Sequence, residues 1–578
     1  MATSSSRTVI LGSVGIAVLA LAGGGTLGVI GAKSRISAMM AAVPGLKVGA
    51  WSIDPASMQV KISHISFNKP GMDFSADSLT IPMSLGNLWA MASARADGGT
   101  ASANNISIVT PGFTLKVPHI TATNASFDDA ALAKMLDVKD ATPASQRIAA
   151  LNAGTLSVPV MIFSQKLPVS SSVTTLNNIE MSNVVKGVIG HATIGKTTVE
   201  IMADPKDGAS VHGTESVASM SFDQLSLPGY LRWMLDTRKD DNEPRQLALA
   251  DQKVNGIAMK FTESLPKGTF SADVTVKDGE VQNARLRAMK VPGINIASML
   301  PHPVPGQPAD TEAAQRALEI EADLLGSTSF DHFTAHDISV TITHPPKADV
   351  TSVPIVVSLD ALTMAETATA TAPPSGFSLG ISHLKSDLDQ LPATPGLTKF
   401  KTNFYSKIDL SLSNSIDWDM SKGAIELKDL TLSGAGAGAA TMSFKLIDVG
   451  NTLLSTKPAD IEAAMVTAKA TAVHLHLDNQ GVVQKILAVE AASASQTPAQ
   501  YTQQLIAGAG TIIPAMLGQS AASQSIGAAI AKFLGDPKNL DISATSAEGI
   551  GAPEIMAAKM AGPAAIVAKL HITASADQ

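Results

Sequence analysis

The sequence predicts a mainly β protein with additional helices (α+β). The predicted order is an N-terminal transmembrane helix, then antiparallel, elongated or curved β-sheet domains, then a C-terminal domain that contains helices. Three observations lead to this prediction. Residues 9–32 carry no charged side chain, short apolar–polar alternations separated by Gly, Pro, Asn and Asp recur from 58 to 447, and helical spacing follows at 498–534.

The same patterns divide the chain into five predicted segments. The breaks between them are a charged stretch at 237–244 and Pro/Gly-rich stretches at 302–308 and 371–376. The segments are a short cytoplasmic tail (1–8), a transmembrane anchor (9–32), a β-rich periplasmic domain (33–236), a middle β-rich segment with a helix at 310–326 (237–375), and a C-terminal β-meander with helices (376–578).

The apolar run at residues 9–32 has two interpretations. As a helix it would reach roughly 36 Å at ~1.5 Å per residue, enough to cross a hydrocarbon core of about 30 Å. A cleavable signal peptide is the alternative, because Ala20-Leu21-Ala22 is an A-x-A-like site. The apolar run continues past that site to Ile30, which favours an uncleaved anchor. Flanking charges do not fix the orientation, so the β-rich pattern is our reason for placing the bulk of the chain in the periplasm.

Composition narrows the classes of function. The net charge of −8 is modest for 578 residues and no basic block occurs, which argues against nucleic acid as a partner. The absence of cysteine excludes disulfides, thiolate catalysis and cysteine-ligated metals, and it is compatible with a bacterial periplasm. An apolar content of 45% with 16% charged residues is typical of a folded chain.

Two details of the strand pattern carry further expectations. Val60 and Ile62 alternate with polar residues, and the alternation resumes at Ile65 after a slip of one residue, which predicts a β-bulge. A phrase of Asp or Asn, an apolar residue, Ser or Thr, and another apolar residue recurs, as in Asn105–Ile108 and Asp337–Val340. We expect its first residue to end a loop and start a strand. The recurrence is explained either by convergent use of the residue types that suit turns and strands or by a loosely repeated strand unit.

Two glycine-containing motifs match known catalytic or nucleotide-binding signatures in part. Gly376-Phe377-Ser378-Leu379-Gly380 matches the G-x-S-x-G nucleophile elbow, with His383 nearby, but the alternation continues straight through Ser378. A strand residue is therefore the expected role of this serine. The glycines of 434–438 follow a strand as a dinucleotide-binding loop would, but period-two alternation follows them, so we expect a hairpin.

Histidines form two candidate metal clusters. His332 and His336 are four residues apart beside Asp331 and Asp337, with His344 farther on, and His474 and His476 are predicted to share one strand face. Ordinary surface histidines are the expected interpretation of both clusters. No acidic residue stands out in an apolar setting. We therefore assign no catalytic, cofactor-binding or metal-binding residue and no cofactor.

The layout resembles bacterial envelope proteins of the AsmA-like kind, with one N-terminal membrane helix and a β-rich region carrying phrases such as Asn105–Ile108 and Asp429–Leu432. The meander at 404–447 followed by helices at 498–534 also resembles the YdgA-like envelope family. AsmA-like resemblance implies a curved sheet that presents an apolar groove to lipid acyl chains. The chain departs from that pattern by being short for a bridge between two membranes. Neither resemblance rests on an invariant motif, so it carries over no functional residue.

These observations lead to one expected function and two alternatives. We expect a non-enzymatic protein, anchored by a single helix in the bacterial inner membrane, that binds or transports lipids or supports envelope assembly. Its expected partners are the inner membrane, a phospholipid or other lipid, and envelope proteins. A structural or interaction scaffold is the first alternative, and a hydrolase acting through Ser378 is the second.

Overall fold

A computed structural model of the protein describes most of residues 46–577. The described ranges are 46–54, 57, 59–69, 72–82, 100–110, 113–124, 142–150, 152–166, 170–203, 210–238, 240, 243–265, 268–290, 320, 323–324, 326–344, 353–367, 375–391, 393–419, 421–450 and 458–577. The chain divides into a first unit, Met1–Asp331 with Thr343–Ser352, and a second unit, His332–Ile342 with Val353–Gln578. The predicted anchor at 9–32 lies outside the described residues, as does most of the predicted helix at 310–326, of which the described residues Ile320, Asp323, Leu324 and Gly326 are helical.

The first unit is an antiparallel meander in which consecutive strands pair with one another. β8 and β9 lie end to end and share one place between β7 and β10. The thirteen strands are β1 Leu46–Asp54, β2 Gln59–Lys69, β3 Met72–Pro82, β4 Thr100–Val109, β5 Phe113–Thr123, β6 Ala153–Lys166, β7 Ser170–Val185, β8 Val188–Ile194, β9 Thr197–Ala203, β10 Ser210–Ser226, β11 Gln246–Leu265, β12 Gly268–Leu286 and β13 Thr328–Ser329.

Two helices with described bounds accompany this sheet, besides the helical residues between 320 and 327. α1 spans Ala144–Arg147 and runs into a 3₁₀ turn at Ile148–Ala150, and α2 spans Leu227–Leu235. The hydroxyl of Ser226 caps α2 by accepting a hydrogen bond from the Gly229 amide, and proline in its first turn fits a helix start. The charged stretch at 237–244, which follows α2, includes a residue that is buried rather than solvated. Arg238 is buried there and donates to Asp323 at 2.8 Å.

A row of irregular positions crosses the first sheet. At this level each strand carries one extra residue, so the register is kept while the side-chain alternation shifts by one. We call this set the bulge row. Its members include Gly49, His64, Asp77, Asn105, Pro118, Pro159, Asn178, Ala218, Gly256 and Lys277.

Left-handed backbone marks the bulge row. His64, Asn105 and Asn178 have φ of 53°, 52° and 52°, and Gly256 has 62°. Asn tolerates this region because its short side chain hydrogen-bonds locally, and glycine has no Cβ to clash. The slip in alternation predicted between Ile62 and Ile65 occurs at His64, but the register of β2 with β1 and β3 is unchanged across it, so the predicted β-bulge of β2 alone does not form. The expectation that Asn105 starts a strand is wrong, because it lies inside β4.

The second unit is also an antiparallel meander with sequential pairing. Its strands are β14 His332–Thr343, β15 Ile355–Glu366, β16 Gly376–Asp387, β17 Lys407–Asp419, β18 Ala424–Gly434, β19 Gly438–Ile447, β20 Lys469–Asn479, β21 Asn539–Ile550 and β22 His571–Asp577. Asp337 lies inside β14 with φ of 49°, so it also marks an irregular position within a strand rather than a strand start.

Most described helices belong to the second unit. They are α3 Pro395–Asn403, α4 Pro458–Thr467, α5 Val482–Ser493, α6 Pro498–Leu517, α7 Ala521–Gly535, α8 Ala552–Ala561 and α9 Ala564–Val567. A capping box between Thr497 and Gln500 starts α6. The predicted helices at 498–534 are confirmed, and α6 continues through Pro514.

The prediction of a mainly β protein with additional helices is confirmed. Twenty-two strands and nine α-helices lie in the part of the chain that the structure describes. Within that part, every helix is too short or too polar to cross a bilayer.

Candidate apolar binding faces

One face of the first sheet is apolar from β1 to β12. Cross-strand partners lie on the same face of a sheet, so the register fixes which side chains belong to it. In β2, for example, the apolar-face residues are Val60 and Ile62 on one side of the bulge row and Ile65 and Phe67 on the other. The shift of alternation at the bulge row therefore keeps the apolar side chains of each strand on one face.

Over β2–β7 this face is a closed core. Phe74, Leu79 and Ile108 are each no more than 2% exposed, and Phe113 and Phe163 stack with their ring centroids 5.3 Å apart. We call this region the closed part. Its buried members are Val60, Ile62, Ile65, Phe67, Phe74, Ala76, Leu79, Ala101, Ala103, Ile106, Ile108, Val117, Ile120, Ala122, Val158 and Ile179.

Over β9–β12 the same face is open. Ile201, Met259 and Phe261 are 44%, 40% and 41% exposed, although the register places them on the apolar face. Four neighbouring strands contribute, which gives a patch about 14 Å wide and about 20 Å long at standard strand dimensions. We call it the open strip. Its residues are Val199, Ile201, Val211, Gly213, Glu215, Val217, Ile257, Met259, Phe261, Glu263, Phe270, Ala272, Val274 and Val276.

The opposite face of these strands is polar. Glu200, Lys260 and Asp273 lie on it, and the Lys260 ammonium is 3.8 Å from the Asp273 carboxylate. Met202, 54% exposed, is also on this face. The open strip is therefore the apolar side of an amphipathic sheet.

Two acidic residues interrupt the open strip, Glu263 near one end and Glu215 in its middle. Glu215 lies directly between Val199 and Met259 in the cross-strand register and is half-buried. Its sequence neighbours on the same face are Gly213 and Val217. Its carboxylate forms no hydrogen bond or ion pair with any described residue. The expectation that no acidic residue stands in an apolar setting is therefore wrong at Glu215. The alternation Val211-Gly213-Glu215-Val217 is the signal that would have shown it.

The second unit also has an apolar sheet face, and its middle carries no charge. The described positions of this face in β14–β19 hold no charged residue apart from Glu366 at the end of β15. Leu410 and Leu432 are 36% and 52% exposed, while Ile425 and Leu427 are buried. Within this face, the Asn414 side-chain oxygen accepts a hydrogen bond of 3.1 Å from the Leu379 amide.

Helix α7 covers one end of that face. Ala529 and Phe533 of α7 pack on Leu540 of β21 and Ala576 of β22, and all four are buried. The helical cover thus ends at the last strands, and the face over β16–β18 retains exposed leucines.

The two glycine motifs lie in plain strand and turn structure. Ser378 is the third residue of β16, opposite Ala365 and Ser415, and the register runs through it without a turn. This is strand geometry, as the alternation predicted, and lacks the sharp strand-to-helix turn of a nucleophile elbow. The glycines of 434–438 form a tight turn between β18 and β19, in which the Ala437 amide donates to the Gly434 carbonyl at 2.9 Å.

The structure separates the histidines of one candidate cluster and brings those of the other together. His332 and His336 lie on β14, where four residues span about 13 Å, too far apart to share an ion. The ring of His344 is instead near that of Phe270, at 5.7 Å. His474 and His476 do share one face of β20, and both hydrogen-bond the Asp541 carboxylate, at 2.8 and 2.9 Å. Among the residues that the structure describes, no group of three or more His, Asp or Glu is arranged to hold a metal ion.

Hydrogen bonds from these histidines affect the carboxylate they share. Burial acts to raise the pKa of Asp541, but the hydrogen bonds from His476 and His474 outweigh it, so this pKa is lower than usual. The arrangement therefore joins β20 to β21 on the polar face through a carboxylate that stays ionised.

Comparison with known proteins adds one observation. A family model described as "Uncharacterized protein" matches residues 431–577, about a quarter of the chain, from within β18 to the end of β22. None of the curated proteins matches the chain. The geometry of the apolar faces is therefore the basis for the function proposed below.

Proposed function

We propose that the protein is a non-enzymatic, membrane-anchored envelope protein whose open apolar sheet faces bind the acyl chains of lipids. The observation that carries this proposal is the open strip. Its apolar side chains lie on the same face as the closed part, from which Ser172 and Thr174 of β7 separate them, and Ile201, Met259 and Phe261 are left about two-fifths exposed. Covering exposed apolar area of this kind with another apolar body is favourable by roughly 25 cal/mol per Å².

The dimensions support an acyl chain as that apolar body. A strip about 20 Å long is comparable to one leaflet of a bilayer, which is roughly half of a 30 Å hydrocarbon core. The uncharged face of the second unit, with Leu410 and Leu432 exposed, is a further surface of the same chemistry. Under this proposal residues 9–32 hold the chain in the inner membrane, the bulk of it lies in the periplasm, and the resemblance to AsmA-like proteins reflects lipid binding on an open sheet.

Lipid carried through purification tests the proposal. The full chain is extracted in a neutral detergent, and the lipid retained per chain is measured by mass spectrometry. Met259→Asn places a polar amide on the open strip. It is expected to reduce retained lipid about tenfold, because the free energy gained by burying the methionine side chain against the lipid is lost. Met202→Asn is the matched control, since it makes the same change on the polar face of the same sheet.

Two results would contradict the proposal. One is a wild-type chain with no enriched lipid. The other is an equal reduction in both variants, which would mean that the lipid is not held by the open strip.

An interaction scaffold is the second candidate function, and a different observation favours it. Helices α4, α6 and α8 of the second unit expose large apolar side chains, of which Met560 is 92% exposed. Flexible methionines suit surfaces that bind protein partners. If Met556→Asn and Met560→Asn together abolished envelope function while lipid retention stayed unchanged, the scaffold would become the leading interpretation. The exposed residues are Ile461, Met465, Val466, Ile512, Met516, Ile555, Met556 and Met560.

A further inference from the structure

The open strip carries two negative charges and no positive one. The residues of β9–β12 on this face include Glu215 in the middle and Glu263 near one end, and no described position of the strip is Lys or Arg. The nearest basic residue on these strands by sequence, Lys260, is on the opposite face. The strip is thus an apolar surface with acidic character.

A carboxylate in this position favours a cationic partner. Val199 and Met259 flank Glu215 across the strands, and neighbours in such pairs have Cβ atoms about 4.5–5.5 Å apart. An acyl chain laid on the strip would cover these neighbours and take water away from the carboxylate. Removing water from an ionised carboxylate is costly unless a hydrogen-bond donor or an opposite charge replaces it. An amphiphile with an anionic headgroup would make this cost larger, and one with an ammonium group would offset it.

We infer that the open strip selects amphiphiles whose polar group is a protonated amine, with Glu215 as the residue that pairs with it. This inference rests on the proposed function, because it names the class of lipid that the same strip takes. Glu263, opposite Val211 and Phe270 in the register, gives the strip a second acidic position near the end of β11. An amine-bearing lipid headgroup and a simple long-chain amine share the chemistry that Glu215 recognises.

Matched amphiphiles test the selection. Dodecylamine, dodecanol and dodecanoic acid have the same chain and differ in the charge of the polar group. Each is titrated into the purified full chain in a neutral detergent, and the Kd is measured by calorimetry. The wild-type chain is expected to bind the amine about five- to tenfold more tightly than the alcohol, the range of a partly desolvated ion pair, and the acid more weakly than the alcohol.

Two isosteric variants separate a local effect from a general one. Glu215→Gln is expected to bind all three amphiphiles with similar Kd values, because the amide keeps the shape and removes the charge. Glu200→Gln makes the same change of net charge on the polar face of β9 and is expected to keep the preference for the amine. Loss of the preference in both variants would overturn the inference, since the net charge of −8 would then be its cause.

The outcomes also distinguish this inference from the proposed function. If dodecanol binds and Met259→Asn weakens it, but the amine binds no more tightly than the alcohol, the strip binds acyl chains and the inference about Glu215 is wrong. If none of the three amphiphiles binds the wild-type chain, the proposed function fails and the inference fails with it.

Discussion

The closed part and the open strip belong to one face of one sheet, yet they bury their apolar side chains to very different extents. Phe74 on β3 is 2% exposed, and Phe261 on β11 is 41% exposed. Both regions follow the same alternation; the bulge row crosses the closed part and borders the open strip at Ala218, Gly256 and Lys277. An amphipathic strand therefore specifies that a face is apolar, but not whether the protein covers that face itself. This difference locates the candidate binding surface.

The largest expected effect separates the two regions by stability. Phe74→Ala removes a fully buried ring from the closed part and is expected to lower the free energy of unfolding by about 3–5 kcal/mol. Phe261→Ala removes the same side chain from the open strip, where part of it already contacts water, and is expected to cost about 1 kcal/mol or less. The free energy of unfolding of each variant is measured by denaturant-induced unfolding and compared with that of the wild-type chain. Equal losses in the two variants would show that the strip is as well packed as the closed part.

The second effect tests whether the bulge row is needed for both regions. Asn105→Val puts a β-branched residue at φ of 52° in the closed part and is expected to destabilise the first unit by about 1–2 kcal/mol. Asn105→Gly is the control and should cost much less, because glycine adopts this backbone freely.

The corresponding change beside the open strip is Gly256→Ala. An added Cβ there would meet the Cβ of Ala218 at 2.8 Å, and φ is 62°, so we expect destabilisation here too. Thermal unfolding of the three variants is the measurement. A stable Asn105→Val variant would mean that the strand can lose its irregularity without penalty.

The smallest effect is a pH dependence at the far end of β12, beyond the open strip. The hydrogen bond from Arg285 lowers the pKa of Asp331 below its ordinary value of 3.8, and Asn283 adds to this against the opposing effect of burial. A carboxyl whose pKa is lower in the folded state stabilises the fold above its unfolded pKa, and that contribution is lost as the pH falls through the folded value.

Asp331→Asn should therefore flatten the fall of Tm between about pH 5 and about pH 2 without changing how the open strip binds amphiphiles. Arg285→Gln is expected to flatten it as well, since it removes the partner that lowers the pKa. An unchanged slope in both variants would show that this pair contributes nothing to acid stability.

Much of the fold could be predicted because period-two alternation reports directly which side chains share a face. The slip between Ile62 and Ile65 predicted the irregularity at His64, and the helical spacing at 498–534 predicted α6 and α7. The recurring phrase was misassigned, because Asn105 and Asp337 are residue types common in turns but here occupy left-handed positions within strands. Local sequence does not separate these two uses.

The candidate site could not be predicted from the sequence. Whether Phe261 is covered depends on packing that alternation does not encode. Glu215 stood out only once the register placed Val199 and Met259 beside it. The alternation Val211-Gly213-Glu215-Val217 puts Glu215 on a strand face with two valines, but its cross-strand neighbours are far apart in the chain, so local sequence does not show that they are apolar as well.

Photo-crosslinking tests the difference between the two regions most directly. A phospholipid with a diazirine on its acyl chain is incorporated into membranes that contain the full-length protein, and the linked residues are identified by mass spectrometry. Crosslinks are expected on the open strip, at Ile201, Met259 and Phe261, and on exposed Leu432 of the second unit, but not on Phe74. Crosslinks that fall mainly on the polar face, at Met202 and Lys260, or that are absent from the open strip, would contradict the account.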